Sequence, residues 1–396
     1  MKKKEDISII KKKNCFGCYA CVNACFKDCV SMHEDEEGFR YPQIDYEKCN
    51  SCGNCVNSCP SVNYITKDDR VNSLLPVAYS TYALDEEIRK QSSSGGVFSL
   101  LANYVLSQQG VVFGAVWEGI DYVKHIKAAS IEELPPLRTS KYLQSDVGFT
   151  FRETKRELEQ NKLVLFAGTP CQIAGLKTYL KKEYIKLITC DLVCHGVPSA
   201  KIFRKFLEEM NFLYNSKPVA YYRDGSKGKL PSLFTMDFEN GQSITLHIQG
   251  NIFNHGFTAN LFQRQPCVSC NFAKIPRIAD ITLGDDVRTN RRTDKKLREE
   301  GLSFITINTQ KGLQVYENIK NELDSVEYSV RDIRMAHIAY PPYPNIWRKC
   351  FFRDVKNGKG VLETIDKYCN NKIFRKLRGL CVRFVAMYRR VKTGYK

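Results

Sequence analysis

The chain has 396 residues, 43% hydrophobic and 26% charged, enough for two or three domains with their own cores and unlike a disordered or fibrous chain. Its net charge is +17, placed unevenly: residues 1–70 hold 11 basic and 11 acidic residues, whereas residues 346–396 hold 15 and 3. There is no run of about 18 apolar residues, and the basic start Met1–Lys13 leads into no apolar stretch, so neither a transmembrane helix nor a signal peptide is expected and the cytoplasm is.

Nine of the 17 cysteines lie between Cys15 and Cys59. Without an export signal, such grouping points to metal rather than disulfides. The first run is Cys15-x2-Cys18-x2-Cys21-x3-Cys25; the second is Cys49-x2-Cys52-x2-Cys55-x3-Cys59, followed by Pro60. Three thiolates at i, i+3 and i+6 can grip three irons of one cubane, and the fourth cysteine starts the next helix and reaches the other cluster. The expected ligand sets are therefore crossed: Cys15, Cys18, Cys21 with Cys59, and Cys49, Cys52, Cys55 with Cys25. Gly17 and Gly53 suit close backbone approach, and loop N–H groups offset the cluster's negative charge. Zinc is the competing reading, but its sites use two ligand pairs rather than twin runs of four. Phe26 stands where the first run lacks a proline, and Cys29 is expected to be a packed thiol. Between the runs, residues 31–46 read as a hairpin turning near Gly38.

Residues 67–76 look like a linker. From 77 to 215 strands and helices alternate, the signature of an α/β layer. Strands are expected at 77–84, 111–117, 163–167 and 185–193, and helices at 97–106, 151–162, 173–182 and 200–210. Residues 218–250 read as antiparallel strands with a turn at Glu239-Asn240-Gly241. A helix is expected over 251–265, strands over 278–283 and 302–308, and a helix over 313–323. From Lys372 onward Ile373, Leu377, Leu380, Phe384, Val385 and Tyr388 share one helical face with arginines and lysines around it. That pattern suits peripheral contact with an anionic membrane, or packing on the protein itself with a solvated basic rim. No recognition motif accompanies the charge, so nucleic acid is not expected as a partner.

Three stretches carry further chemistry. Ser92-Ser93-Ser94-Gly95-Gly96 precedes a helix and offers either an anion site or ordinary serine capping. Gly168-Thr169-Pro170-Cys171-Gln172 occupies a strand-to-helix turn, where ligands of open α/β sheets bind. Cys171, Cys194, Cys267 and Cys270 number enough for a third cluster, with zinc or a reduced pair as alternatives and Cys190 as a competing ligand.

With SKYLQS at 140–145, CHGVPS at 194–199, CVSC at 267–270 and ADITLGD at 279–285, these motifs resemble the coenzyme F-420 hydrogenase/dehydrogenase beta-subunit family from the cysteine-rich module to about Asp286. The resemblance implies FAD in an α/β domain, served by iron–sulfur clusters. It implies that Ser93, Ser94, Gly95 and Gly96 line the FAD phosphates, that Lys141, Gln144 and Ser145 face FAD, and that Thr169, Pro170 and Gln172 sit near the flavin ring. It also strengthens the third-cluster reading.

The expected fold is a small dicluster ferredoxin-like domain (1–66), an α/β flavin-binding and substrate domain with an antiparallel-strand portion (77–345), and a basic helical tail (346–396). The expected function is electron transfer between ferredoxin or a partner subunit, through 4Fe-4S clusters and FAD, and a small organic substrate. The alternatives are a subunit that reduces or oxidises coenzyme F-420, or an electron-transfer subunit without a substrate of its own. His195 is the first proton-donor candidate and Asp285, with Asp286, the second; a structural histidine and a helix N-cap are the alternative roles. A cytoplasmic location, with the tail at the inner membrane face, completes the expectation.

Overall fold

The structure is a computed structural model that describes residues 6–63, 77–223, 233–247, 251–286, 300–328, 338 and 340–393. The linker expected at 67–76 lies outside the described residues.

The N-terminal module is built on short turns of helix. Helix α1 (Ala20–Ala24) follows the first cysteine loop, and α2 (Asn54–Asn57) and α3 (Pro60–Asn63) follow the second. Between them β1 (Val30–Glu34) and β2 (Arg40–Ile44) pair antiparallel, with Gly38 at φ +84° in the turn, as the pattern predicted. The two cysteine loops repeat one backbone path. Left-handed residues stand two and four positions after the first cysteine in each: Gly17 and Tyr19 (φ +66° each), then Ser51 and Gly53 (φ +54° and +76°). Glycine relieves a different one of the two positions in each loop; Tyr19 and Ser51 hold the conformation without it.

The larger part is an eight-stranded mixed sheet. Its strands are β3 (Val77–Ala83), β4 (Val111–Glu118), β5 (Tyr122–Ala128), β6 (Val164–Gly168), β7 (Leu187–Leu192), β11 (Ile281–Asp285), β12 (Ser303–Ile307) and β13 (Leu323–Tyr328). They lie side by side in the order β13-β3-β12-β11-β7-β6-β4-β5. The centre, β4-β6-β7-β11, is parallel. It reads as unbroken apolar runs because both faces are covered. Both edges are antiparallel. Strand β3 therefore pairs with β12 and β13, far along the sheet from β4, although strand–helix–strand grammar suggested a parallel neighbour. Helices α4 (Glu86–Lys90), α5 (Val97–Ser107), α6 (Thr150–Glu159) and α7 (Pro170–Leu180) connect the strands.

After β7, helix α8 (Ala200–Tyr214) leads to a separate antiparallel sheet of β8 (Pro218–Tyr222), β9 (Leu233–Phe238) and β10 (Ser243–His247). The expected turn is there, with Gly241 at φ +82°. The helix expected over 251–265 is shorter: α9 spans Ile252–Thr258. It stops because Asn260 turns left-handed, φ +60°, and Leu261 N–H closes back on Gly256 O at 3.0 Å. The helix expected over 313–323 is α10 (Gln310–Ile319), and Leu323 already begins β13.

The expected tail divides. Helices α11 (Arg348–Lys356) and α12 (Val361–Cys369) are core elements, with Phe351, Val361 and Ile365 buried against Phe203, Phe253 and Phe262. Helix α13 (Lys372–Thr393) keeps the apolar face Ile373, Leu377, Leu380, Phe384 and Met387 exposed. Among the described residues no helix is long and apolar enough to cross a membrane.

The module does not hang free. Its Phe16, Cys18 and Val22 share one apolar core with Phe166, Ile173 and Leu176 of the large sheet and α7. A Cβ on Gly175 of α7 would stand 3.0 Å from Cys18 Sγ, so any larger residue would crowd this approach. Thr178 donates to Ser58 O at 2.7 Å, and Asn23 donates to Gly148 O at 2.9 Å.

Candidate functional site

Two small cavities open inside the module. One is lined by Cys15, Cys18, Cys21 and Cys59, the other by Cys25, Cys49, Cys52 and Cys55. The cysteines thus gather in the crossed sets that spacing predicted, each taking three residues from one run and the last from the other. Among the described residues no three His, Cys, Asp or Glu side chains are grouped to hold a single metal ion. A cubane spreads its ligands over four irons, so the wide quartets suit a cluster better than zinc. Cys29 is buried, as expected of a packed thiol, but it also lines the second cavity with its Sγ 3.2 Å from that of Cys25.

A third group of cysteines assembles from distant segments. Cys171 lies in the first turn of α7, Cys194 follows β7, Cys267 lies within a short 3-10 turn, and Cys270 follows that turn. Burial, then the neighbouring thiols of Cys194, Cys270 and Cys171, push Cys267 well above its ordinary value. Burial likewise raises Cys171 to about 12, with Cys270 and Cys194 adding to it. Each thiol therefore stands within electrostatic reach of the others. Cys190 has different neighbours: beyond burial, Asp191 and Asp280 raise it, and its Sγ lies 3.9 Å from Asp191 O. It is set apart from the quartet. Cys18 and Cys171 also feel each other's charge, so the third group adjoins the first cavity.

A larger cavity of about 320 Å³ lies at the C-terminal ends of β6, β7 and β11. That is where open α/β sheets bind ligands, and the size falls in the range of cofactor sites. Ser93, Ser94, Gly96, Lys141, Gln144, Ser145, Thr169 and Gln172 line it, as do Cys194, His195 and Asp285. Two expected residues do not. Gly95 packs into the sheet, where a Cβ would meet Thr81 O at 2.5 Å, and its N–H binds Ser303 Oγ at 2.9 Å. Pro170 is buried in the first turn of α7.

The local bonding explains how these side chains are held. Helix α5 begins at Gly96, φ +90°, with no side-chain cap, so serine capping is not what the SSSGG segment provides. Instead Ser93 Oγ accepts from Ser140 N–H at 2.8 Å, and Ser94 donates to Leu302 O at 2.6 Å. Thr169 and Gln172 form a capping box on α7, and Gln172 Nε2 donates to Ser145 Oγ at 2.9 Å. Lys141 Nζ donates to Pro136 O at 2.8 Å, and burial lowers it to about 7. Arg138 lines the same wall with its Nε buried and without a partner among the described residues.

The two acid–base candidates are placed differently from expectation. Asp285 is gripped by the buried Arg223, Nη1 to Oδ2 at 2.7 Å, and the same guanidinium donates to Tyr142 Oη at 3.4 Å. Asp285 ends a strand and is no helix N-cap. Asp286 N–H donates to Leu302 O at 2.9 Å. His195 stands edge-on to Phe257, and burial lowers it below its ordinary value despite favourable contacts with Thr258 and Asn260. Its neutral form is favoured, which suits an acceptor better than a proton donor at neutral pH.

His125, for which the sequence offered no setting, lies in the cavity wall. Its Nε2 is 2.9 Å from Ala167 O, its ring stacks on Phe166, and burial lowers it to about 4. Its Nδ1 is buried without a partner among the described residues. Strand β5, which carries it, gave no clear period-2 signal, so nothing in the sequence marked this histidine. An orphaned ring nitrogen, an orphaned guanidinium nitrogen and an uncapped helix start in one cavity fit a polar, phosphate-bearing cofactor.

Comparison with known proteins assigns two parts of the chain to families. Residues 161–329 match the family described as the C terminus of the coenzyme F420 hydrogenase/dehydrogenase beta subunit. Residues 14–63 and 41–93 match two families of 4Fe-4S dicluster domain. Ketoisovalerate oxidoreductase subunit VorC of Methanothermobacter marburgensis is 34% identical over 64 residues, 16% of this chain and 81% of that protein. An NADH-quinone oxidoreductase subunit of Geobacter metallireducens is 37% identical over 54 residues, 12% of this chain and 41% of that protein. A chain of the F420-reducing [NiFe] hydrogenase complex from Methanosarcina barkeri aligns over 76% of this chain and 92% of its own length, at 17% identity and a TM-score of 0.46. The chain is an iron–sulfur protein with a 4Fe-4S dicluster region, and its residues 161–329 carry the C-terminal domain of the coenzyme F420 hydrogenase/dehydrogenase beta-subunit family.

Proposed function

We propose that this protein carries single electrons from the module surface to a flavin in the large cavity, for the reduction or oxidation of a small organic substrate. The observation that carries the reading is the alignment of three cysteine quartets with that cavity: Cys18 adjoins Cys171, and Cys194 lines the cavity itself. When bound, FAD would exchange one electron at a time with clusters and two with the substrate. Cys15, Cys18, Cys21 and Cys59 would hold one 4Fe-4S cluster; Cys25, Cys49, Cys52 and Cys55 a second; and Cys171, Cys194, Cys267 and Cys270 a third. Arg138, Lys141 and the α5 start would hold the FAD phosphates. His125 Nδ1 would hydrogen-bond a polar edge of the ligand. His195 would take a proton in its neutral form, and Arg223 would keep the Asp285 carboxylate oriented.

Protein purified without oxygen is expected to contain about twelve irons and one FAD. About eight irons without flavin would leave a relay alone. Zinc in place of iron would overturn the proposal. The relatives with named roles are subunits, which supports delivery of electrons by ferredoxin or a partner oxidoreductase. The coenzyme F-420 alternative is tested by adding oxidised F-420 to reduced protein; no flavin reoxidation excludes it.

The exposed face of α13 supports a second contact. Ile373, Leu377, Leu380, Phe384 and Met387 lie on one stripe, Lys376 and Arg383 flank it, and residues 372–393 contain no acid. Such a face fits an anionic lipid surface. The protein is expected to float with vesicles rich in anionic lipid and not with zwitterionic ones; equal recovery with both would reject the reading.

A further inference from the structure

Among the described residues Arg264 is the largest fully buried side chain, and none of their carboxylates lies within 4.0 Å of it. Its partners are neutral. Nε donates to Cys15 O at 2.8 Å, Nη1 donates to Gln144 Oε1 at 3.3 Å, and Nη2 donates to Arg40 O. The guanidinium stacks 4.4 Å over Tyr41 and 5.6 Å over Phe39. It also presses against the first cysteine loop: a Cβ on Gly17 would stand 2.9 Å from Nη2, and Cys15 Sγ lies 4.0 Å from the same nitrogen. Gly17 is thus constrained twice, by its positive φ and by this cation.

An arginine stays charged in any protein interior. Taking that charge fully out of water is unfavourable unless an anion compensates it. Carbonyl partners alone could be served by a neutral amide side chain. The missing anion is supplied by the site itself: four thiolates around a cubane leave net negative charge, which grows by one on reduction. Net charge and hydrogen bonds to the sulfurs are the levers by which protein sets a cluster's potential.

We propose that Arg264 is the fixed counter-charge of the cluster held by Cys15, Cys18, Cys21 and Cys59, raising its reduction potential above that of the same cluster without it. The step is the gain of one electron from a low-potential one-electron donor, with no bond made or broken and no proton taken up. Arg264 also bonds Gln144 of the large cavity and accepts the Cys267 N–H at 3.1 Å through its own carbonyl. It therefore sits where the first quartet, the third quartet and the cavity meet, and favours the electron on the module cluster that adjoins the third quartet. Arg264 is a positioning residue for charge rather than a catalytic one. The inference rests on the cluster assignment proposed above.

The test is a dithionite titration of the whole protein followed by electron paramagnetic resonance, with the Cys25, Cys49, Cys52 and Cys55 cluster as internal reference. In Arg264→Gln the first cluster's potential is expected to fall by at least ~59 mV, a tenfold drop in its reduced-to-oxidised ratio at fixed potential, while the reference holds. Arg264→Lys is expected to stay near wild type. An unchanged potential in Arg264→Gln at full iron content overturns the inference. If Arg264→Gln loads no first cluster while Arg264→Lys loads it normally, the same need for charge is read at assembly. If both fail to load, shape rather than charge is what the site requires, and the inference falls. Wild-type protein without any 4Fe-4S signal would instead sink the cluster assignment.

Discussion

The cysteine module and the large cavity solve the same problem, gathering polar side chains around an enclosed space, by opposite means. In the module the ligands are close in sequence, and two short loops of matching backbone set them out. In the cavity and the third quartet the contributors come from the ends of four or more elements: the cavity draws on Ser92 and Ser303, 211 positions apart, and Cys171 and Cys270 of the quartet are 99 apart. Local chemistry dictates the first arrangement. The second exists only when the sheet has its final strand order. The module should therefore tolerate damage to the sheet better than the cavity tolerates damage to anything.

The largest test of that contrast is Cys59→Ala. Crossed ligation makes it strip the cluster of the other run, so iron should fall by about four atoms with loss of the Cys15, Cys18 and Cys21 cluster, not of the one beside it. Iron analysis with electron paramagnetic resonance reads this directly; loss of the second-run cluster would refute the crossing.

Next in size is Arg223→Gln, which leaves Asp285 without its buried partner. A loss of about 3 kcal/mol in unfolding free energy is expected by denaturant titration. Retained module iron in that variant would sharpen the distinction between the two regions.

Gly175→Val tests the seam between them. The added Cβ would crowd Cys18, and overpacking of this kind costs about 1–3 kcal/mol. A fall in Tm together with weakened first-cluster signal is expected; an unchanged Tm would mean the seam yields freely.

The smallest effect is a pH profile. Burial lowers Lys141 from 10.5 to about 7. Between these values the unfolded chain binds a proton that the folded one does not, so the ligand-free protein gains stability as pH rises from about 7 toward 10.5. Anion binding needs the charged form, so FAD affinity should fall as pH rises through about 7. Lys141→Met should flatten that profile, as measured by flavin fluorescence; an identical slope would remove Lys141 from the phosphate site.

What the residue order makes legible follows the same divide. Twin cysteine runs, the hairpin at Gly38, and the apolar strands β4, β6 and β7 were legible because each is a local pattern of spacing or periodicity. The antiparallel placement of β3 was not, since a strand's neighbours depend on partners more than 200 residues away. Helices α11 and α12 looked like basic tail because their buried faces are narrow and their charges many. Arg264 gave no signal, because an isolated arginine before a cysteine pair resembles any surface cation. Asp285 was singled out as an acid although its partner, Arg223, stands 62 residues earlier.

By itself the chain's order of residues marked the 4Fe-4S module and the cysteines that line its two cavities, because a cubane demands fixed spacing within one tight loop. Tertiary structure alone decided what stands beside that module. It brought Cys171, Cys194, Cys267 and Cys270 together beside a cavity, stranded a guanidinium between them and Cys15, and left His125 in the wall. Those relations depend on how a mixed sheet stacks its strands, and long-range pairing leaves no trace in local periodicity.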